Sequence, residues 1–195
     1  MRIPLDKDLN AYRFIAIEGL DGVGKSTIVR LLAERIGGVA TQTPDPSLRV
    51  KRQRVEASGQ IADKWAFYMD SMVCQRPQFE AALRNHHVVC DRYIHSTLAY
   101  QWPQDAPLPR NPREMFPKIL WPDLSFLLLS DEATRRQRLH GRETAEGIVN
   151  PADHRTDVLT LSEQRFKSMQ DLIQINTAGL SPSAVCDQIF GRAFQ

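Results

Sequence analysis

Apolar residues in this chain gather in five short runs, and between the runs they recur every three or four positions. The runs fall at residues 12–17, 39–41, 88–90, 124–129 and 172–175. Each is short and bounded by glycine, proline or polar residues, so each predicts a buried β-strand. Between the first two runs, Ile28, Leu31, Leu32 and Ile36 repeat at helical spacing, and Gly37 follows as a helix-ending residue. Over 61–85, Ile61, Trp65, Tyr68, Met69, Met72, Phe79 and Leu83 fall mostly on one stripe, which predicts a helix that Pro77 should kink or split. Residues 102–122 hold six of the twelve prolines and read mostly as loop. Ser130 is placed to cap a helix whose first turn carries Asp131 and Glu132, favourable at the positive end of the helix dipole. That helix is predicted through Arg142, followed by a polar stretch from Glu143 to Asp153. A helix near 157–171, the last strand and a closing helix from Ser183 complete the chain. Strands alternating with helices predict an α/β fold: a five-stranded parallel sheet sandwiched by helices.

Composition adds bounds to this picture. A chain of 195 residues predicts one domain, over 12–195, with residues 1–11 as a loose N-terminal arm. A formal net charge of +2 argues against nucleic acid and membrane surfaces as partners. Three cysteines, Cys74, Cys90 and Cys186, have neither the number nor the spacing of a disulfide framework or a zinc site, and point to a reduced compartment. No apolar run approaches membrane-spanning length, and the arm lacks the apolar core of a signal peptide. The expected location is cytoplasmic.

The first run leads into the chemistry. Gly19-Leu20-Asp21-Gly22-Val23-Gly24-Lys25-Ser26 fits G-x-x-x-x-G-K-[ST], the P-loop. At average amino-acid usage a chance match in a chain this long has odds of roughly one in a hundred. Glycines allow positive φ and let the backbone approach a phosphate. The freed amides form an anion nest, and the following helix adds its dipole and unpaired N–H groups. Lys25 would reach the β- and γ-phosphates of ATP, and the Ser26 hydroxyl would ligate Mg²⁺. Strand before and helix after are the context that this motif requires, so the fold expected is that of the P-loop NTPases.

Two further groups lie at predicted strand ends, where open α/β sheets bind ligands. Asp91-Arg92-Tyr93 ends the third run. Asp91 suits a Mg²⁺-supporting role; Asp131 competes for it, and Asp91 could instead cap the next helix. Past the fourth run come Arg135, Arg136, Arg138 and Arg142, of which Arg138 and Arg142 share a helical face. Arginine forks suit phosphate oxygens, although a solvated charged face is the usual fate of such a run. His86, His87, His95, His140 and His154 lack metal-ligand spacing and read as surface or helix-terminal residues.

FIAIEGLDGVGKST, DRYIHSTLAYQ and PDLSFLLLSDEATRRQRLHGR together resemble thymidylate kinases and their nucleoside monophosphate kinase relatives. TP-DPS at 43–47, AFY at 66–68, HST at 95–97 and QRLHGR at 137–142 look like the mitochondrial-type UMP–CMP kinase branch. The resemblance implies that Gly19, Leu20, Asp21, Gly22, Val23, Gly24, Lys25, Ser26 and Thr27 bind ATP, with Asp21 also facing the acceptor's sugar or phosphate. It implies Phe67 stacked on the pyrimidine, Arg92 on the acceptor phosphate, and Ser96, Tyr100 and Gln101 in the base and sugar pocket. Arg138 and Arg142 match arginines of a helical lid, here about 135–155, that joins Lys25 and Arg92 in catalysis. Ser26 and Asp91 match the Mg²⁺ site. The implied reaction is dTMP + ATP → dTDP + ADP, or the same transfer to UMP, CMP, dUMP or dCMP, with a homodimer as the implied assembly. Two departures stand out. Ser71 occupies the position of an arginine that reads thymine, and Asn150 to Arg155 replace a D-R-x-E signature.

Other classes fit less well. A GTPase switch needs D-x-x-G after the third strand and N-K-x-D; the D-x-x-G here is Asp21 to Gly24, inside the P-loop. A nucleoside kinase needs a carboxylate base near the sugar, for which Glu18 or Asp21 could serve. A catalytically silent nucleotide-binding module is opposed by the intact set Lys25, Ser26, Asp91 and Arg92.

Overall fold

The computed structural model describes residues 12–146 and 156–194, apart from the side chains of 142–146 and 156. The proposed arm at 1–11 lies outside the described residues. The elements in order are β1 (Phe14–Glu18), α1 (Lys25–Arg35), β2 (Val39–Gln42), a 3₁₀ turn (Pro46–Leu48), α2 (Arg49–Ser58), α3 (Ile61–Ala82), β3 (Val88–Asp91), α4 (Ile94–Gln101) and α5 (Pro112–Met115). Then follow β4 (Leu124–Leu129), α6 (Glu132–Glu146), α7 (Thr156–Ser168), β5 (Leu172–Asn176) and α8 (Pro182–Phe194). The strands pair in the order β2-β3-β1-β4-β5, and every pairing is parallel. All five predicted strands are present within two residues of their expected bounds.

A parallel sheet is covered on both faces, which is why its strands read as apolar runs rather than alternating ones. In β1 every residue is buried, and successive side chains feed different cores. Ile15 and Ile17 pack with α1 and α8 residues such as Leu32 and Ile189. Phe14 and Ala16 pack with Met72, Phe79, Tyr93 and Leu98 from the α3–α4 side. Phe14 meets Phe79 and Tyr93 edge-on, with ring centres 5.2 and 4.9 Å apart, a favoured aromatic geometry.

Register sets the site. Ile17 on β1 lies opposite Asp91 on β3, and Arg92 N–H continues the ladder by donating to Ile17 O at 3.0 Å. The two central strands therefore end level. The loop after β1 and the Asp91-Arg92 turn leave the sheet side by side.

Four local expectations need correction. Pro77 neither splits nor ends α3, which runs unbroken from Ile61 to Ala82. The ring removes one N–H donor, but Met72, Gln75 and Phe79 on either side stay buried and hold the helix to the sheet. A ten-residue helix, α2, stands where no apolar stripe announced one. It buries no residue and is tied down by polar contacts: Tyr68 donates to Glu56 at 2.6 Å, and Lys64 pairs with Glu56 at 2.9 Å. The Pro-rich segment includes the single helical turn α5, with Pro112 at its start, where a missing N–H is harmless. Finally, Asp131 rather than Ser130 caps α6, accepting from Thr134 N–H at 2.7 Å. Of the two, the side chain one residue nearer the helix closes the capping bond.

Pro77 is exposed, so its replacement disturbs no core. Pro77→Ala is expected to raise unfolding free energy by about 1–3 kcal/mol, since proline inside a helix is that unfavourable against alanine. Urea unfolding of the two proteins checks this; a lower midpoint for the variant would mean that the ring stabilises α3 in place.

Candidate active site

The loop between β1 and α1 is shaped to receive an anion. Gly24 is the N-cap of α1 at φ 101°, and no side chain caps the helix. The first amides of α1 are thus left for a ligand. Gly22 has φ 87°, and a Cβ there would sit 2.7 Å from Arg135 O and 2.8 Å from Arg135 Cγ. Backbone conformation and close approach both require glycine at this position. Lys25 is 5% exposed; its Nζ donates to Leu20 O at 2.8 Å and lies 3.6 Å from Asp21 Oδ1. Burial first, and the charge of Arg92 second, pull its pKa down, against Asp21, Asp91 and Glu18. An arriving phosphate would reverse that pull.

Arg92 faces this loop from the end of β3. Its φ of 63° lies in the left-handed region, uncommon for a residue with a Cβ. The conformation aims the side chain at the P-loop. Nη2 donates to Asp21 Oδ1 at 2.6 Å, Nη1 donates to Ser96 Oγ at 3.2 Å, and Cζ lies 5.4 Å above the Tyr100 ring. Burial works against its charge, but Asp21 above all outweighs that and keeps the guanidinium protonated. Ser96 and Tyr100 are four apart on α4, so one helical face serves both contacts.

Ser26 donates to Asp91 Oδ2 at 2.5 Å. Two hard oxygens so placed suit Mg²⁺, which takes few protein ligands and keeps the rest for water and phosphate. Among the described residues no cluster of three or more potential metal ligands exists. Asp91 does not cap α4, whose N-cap is Tyr93. Asp131 is occupied in capping α6, which leaves Asp91 as the carboxylate beside Ser26. An open hollow of about 320 Å³ adjoins these two residues, walled by Arg30, Thr41, Gln42 and Pro46.

The helix α6 lies against the loop. Arg135 Nη1 donates to Asp21 O at 3.4 Å, and Arg138 Nη1 donates to Val23 O at 3.1 Å. The family resemblance singles out Arg138 and Arg142, not Arg135, from this run. The signal was Leu139, an apolar residue inside a polar run; it is buried and four residues after Arg135, and so marks the inward face. The Arg142 side chain, and 147–155 of the proposed lid, lie outside the described residues.

Phe67 sits on α3, 4% exposed, edge-on to Tyr68 and with Lys51 Nζ 5.7 Å over its ring. Gln101 is the last residue of α4 and half-buried. Ser71 is buried and spends its hydroxyl on Tyr68 O at 2.8 Å, within its own helix.

Two residues proved more central than their sequence context indicated. Glu18 has no exposed surface. Its Oε1 accepts from Tyr93 N–H at 3.0 Å and its Oε2 accepts from Ser96 Oγ at 2.5 Å. It joins β1 to the start of α4, where negative charge suits the helix dipole. A carboxylate so enclosed is not placed to act as a base toward a sugar hydroxyl. His95, expected at the surface or at a helix end, stands on the first turn of α4 but is 1% exposed and lies between Glu18 and Asp171. A lone histidine on an apolar-looking helix gives no sign of buried acidic partners supplied by distant segments. His154 lies outside the described residues.

The family model described as thymidylate kinase matches residues 17–189. A protein named probable thymidylate kinase from Methanococcus vannielii is 28% identical over 191 residues, covering 91% of this chain and 93% of that one. The protein of the same name from Methanopyrus kandleri is 34% identical over 154 residues, covering 72% and 77%. Among solved structures, thymidylate kinase from Candida albicans superposes with a TM-score of 0.73 at 18% identity, over 93% of this chain and 91% of that one. That from Ehrlichia chaffeensis does so with a TM-score of 0.63 at 19% identity, over 93% and 98%. At such identities the two structures speak for the fold alone.

Gly22→Ala is expected to push α6 away from the loop and lower turnover at least about tenfold, because small displacements of positioning groups carry large rate effects. Steady-state kinetics beside a thermal melt checks this. Turnover equal to the parent's would show that α6 need not touch Gly22.

Proposed function

The chain belongs to the thymidylate kinase family of ATP-dependent phosphotransferases, and on that premise we propose how its residues carry the γ-phosphoryl group of ATP to dTMP. A phosphate oxygen of dTMP attacks the γ-phosphorus, the bond to the β-bridging oxygen breaks, and dTDP and ADP result. The attacking oxygen is already anionic near neutral pH, so no general base is needed. The obstacle is repulsion: two unit charges 4 Å apart oppose each other by about 4 kcal/mol at an effective dielectric near 20.

One observation carries this reading: Arg92, from the end of β3, and Arg135 and Arg138, from α6, converge on a P-loop that already holds Lys25. In the proposal the loop amides and Lys25 hold the ATP phosphates, and Arg92 holds the acceptor phosphate. Arg138, with Arg135 beside it, neutralises charge on the migrating group. Arginines in such a role are worth roughly 10³–10⁵ in rate in related phosphoryl transfers. Ser26 and Asp91 would hold Mg²⁺, which when bound offsets phosphate charge. Lid closure over 135–155 would exclude water and so suppress ATP hydrolysis. Phe67, Tyr100 and Gln101 would receive base and sugar. The Mg²⁺ requirement, the homodimer, the cytoplasmic location and the single domain over 12–195 belong to the same proposal. Among the described residues no helix is long and apolar enough to cross a membrane.

Ser71 offers thymine no arginine and no free hydroxyl proton, so the base is the first thing to measure. ADP release should be followed with dTMP, dUMP, UMP, CMP, dCMP and dGMP at matched concentrations. The fastest turnover is expected with dTMP; ADP release with none of them would overturn the proposal. Arg92→Ala is expected to lower kcat/KM for the acceptor by about 10²-fold or more while ATP affinity, measured by calorimetry, holds. Normal turnover in that variant would remove Arg92 from its assigned role.

A further inference from the structure

Behind Arg92 lies a second layer of charge that the transfer mechanism does not use. His95 stands on the first turn of α4. Its Nε2 is 3.0 Å from Asp171 Oδ2, in the turn leading into β5, and its Nδ1 is 3.6 Å from Glu18 Oε1. Trp121 of the Pro-rich segment lies edge-on to the imidazole at 6.1 Å, and Arg113 covers Trp121 at 5.3 Å from the ring centre. Two carboxylates thus flank one imidazole under an aromatic cover. A neutral ring can donate to one of them and must turn a lone pair on the other, whereas an imidazolium presents N–H to both.

We propose that His95, held as an imidazolium by Asp171, is a positioning residue for Arg92, acting through Glu18 and Ser96. It rests on the reading of Arg92 as the ligand of the acceptor phosphate. The directions of the hydrogen bonds carry the link. Ser96 has one hydroxyl proton and gives it to Glu18 Oε2, so an oxygen lone pair is left for Arg92 Nη1. With Tyr93 N–H on Oε1, both oxygens of Glu18 act as acceptors. An imidazolium 3.6 Å from Oε1 holds that enclosed carboxylate in place by its charge, and through it the Ser96 hydroxyl and Arg92. Asp171, 45% exposed, is the anchor.

Burial opposes charge on His95, but the hydrogen bond to Asp171 and the nearby carboxylate of Glu18 outweigh it and lift its pKa to about 9. The charged groups that face it are Glu18 from β1 and Asp171 from the turn before β5; Arg113 acts in turn on Asp171. With a pKa raised on folding from 6.5, the pair stabilises the fold fully below pH 6.5 and progressively less as pH rises to about 9. Acceptor use should fall over the upper part of the same range.

The test compares the parent protein with His95→Gln and Asp171→Asn. Both variants are expected to raise the acceptor KM about tenfold and leave the ATP KM within about twofold. An NMR titration of the His95 ring should give a pKa above about 8, falling by at least about one unit in Asp171→Asn. The alkaline limb of kcat/KM should move down with it. A lower melting temperature with an unchanged acceptor KM would reduce His95 to packing and overturn the inference, as would a ring that titrates near its free value. Turnover by the parent is measured first. Its absence would defeat the reading of Arg92 as the acceptor's ligand, while the ring titration still decides whether His95 is an imidazolium.

Discussion

Positive charge has to be crowded at one edge of the sheet, and the rest of the site is arranged around that constraint. Lys25, Arg92, Arg135 and Arg138 all reach the same loop. Like charges so close oppose one another, and Lys25 has its pKa pulled down by burial first and by the charge of Arg92 second. Carboxylates make the arrangement tenable. Asp21 stands between Lys25 and Arg92, and Asp91 takes the Ser26 proton. Nucleotide phosphates would join these carboxylates as a second set of anions.

Glu18 has a different position from the other two acids. It precedes the P-loop directly, yet points beneath it, away from solvent. A buried carboxylate is tolerated only when its lone pairs are met. Tyr93 N–H and the Ser96 hydroxyl meet them, and His95 supplies the opposite charge. In doing so Glu18 ties Tyr93, His95 and Ser96, at the start of α4, to the end of β1. The angle at which Arg92 leaves β3, with φ of 63°, is then constrained from both sides of the turn. Local strain of this kind persists where surrounding contacts over-determine it.

The Pro-rich segment belongs to the same support. Arg165 from α7 is 7% exposed and donates to Ala99 O at 3.2 Å, Trp102 O at 2.9 Å and Pro103 O at 2.8 Å. A cation at the C-terminal end of α4 suits that helix dipole and fixes where the segment begins. Trp65, Trp102 and Phe116 then pack together, and Trp121 covers His95. A stretch rich in proline lacks backbone donors to make a ladder of its own. Aromatic contacts and an arginine take the place of that ladder.

Much of this was written in short-range pattern. The five strands followed from apolar runs; at the centre of the sheet burial on both faces leaves no polar alternation, while the edge strand β2 is short and mostly exposed. The P-loop followed from glycine spacing, because few backbones can wrap a phosphate. Asp91 and Arg92 followed from their place at a strand end. What the chain order could not express was which distant groups would meet. Nothing near His95 announces Glu18 and Asp171, 77 and 76 residues away along the chain, and nothing in the polar run of α6 ranks Arg135 above its neighbours except one leucine. The helix α2 was silent because it is held by polar contacts, not by an apolar stripe. Periodicity records which face of a segment is buried. Which charges face each other across the interior depends on the packing of whole elements, and only the tertiary structure decided that.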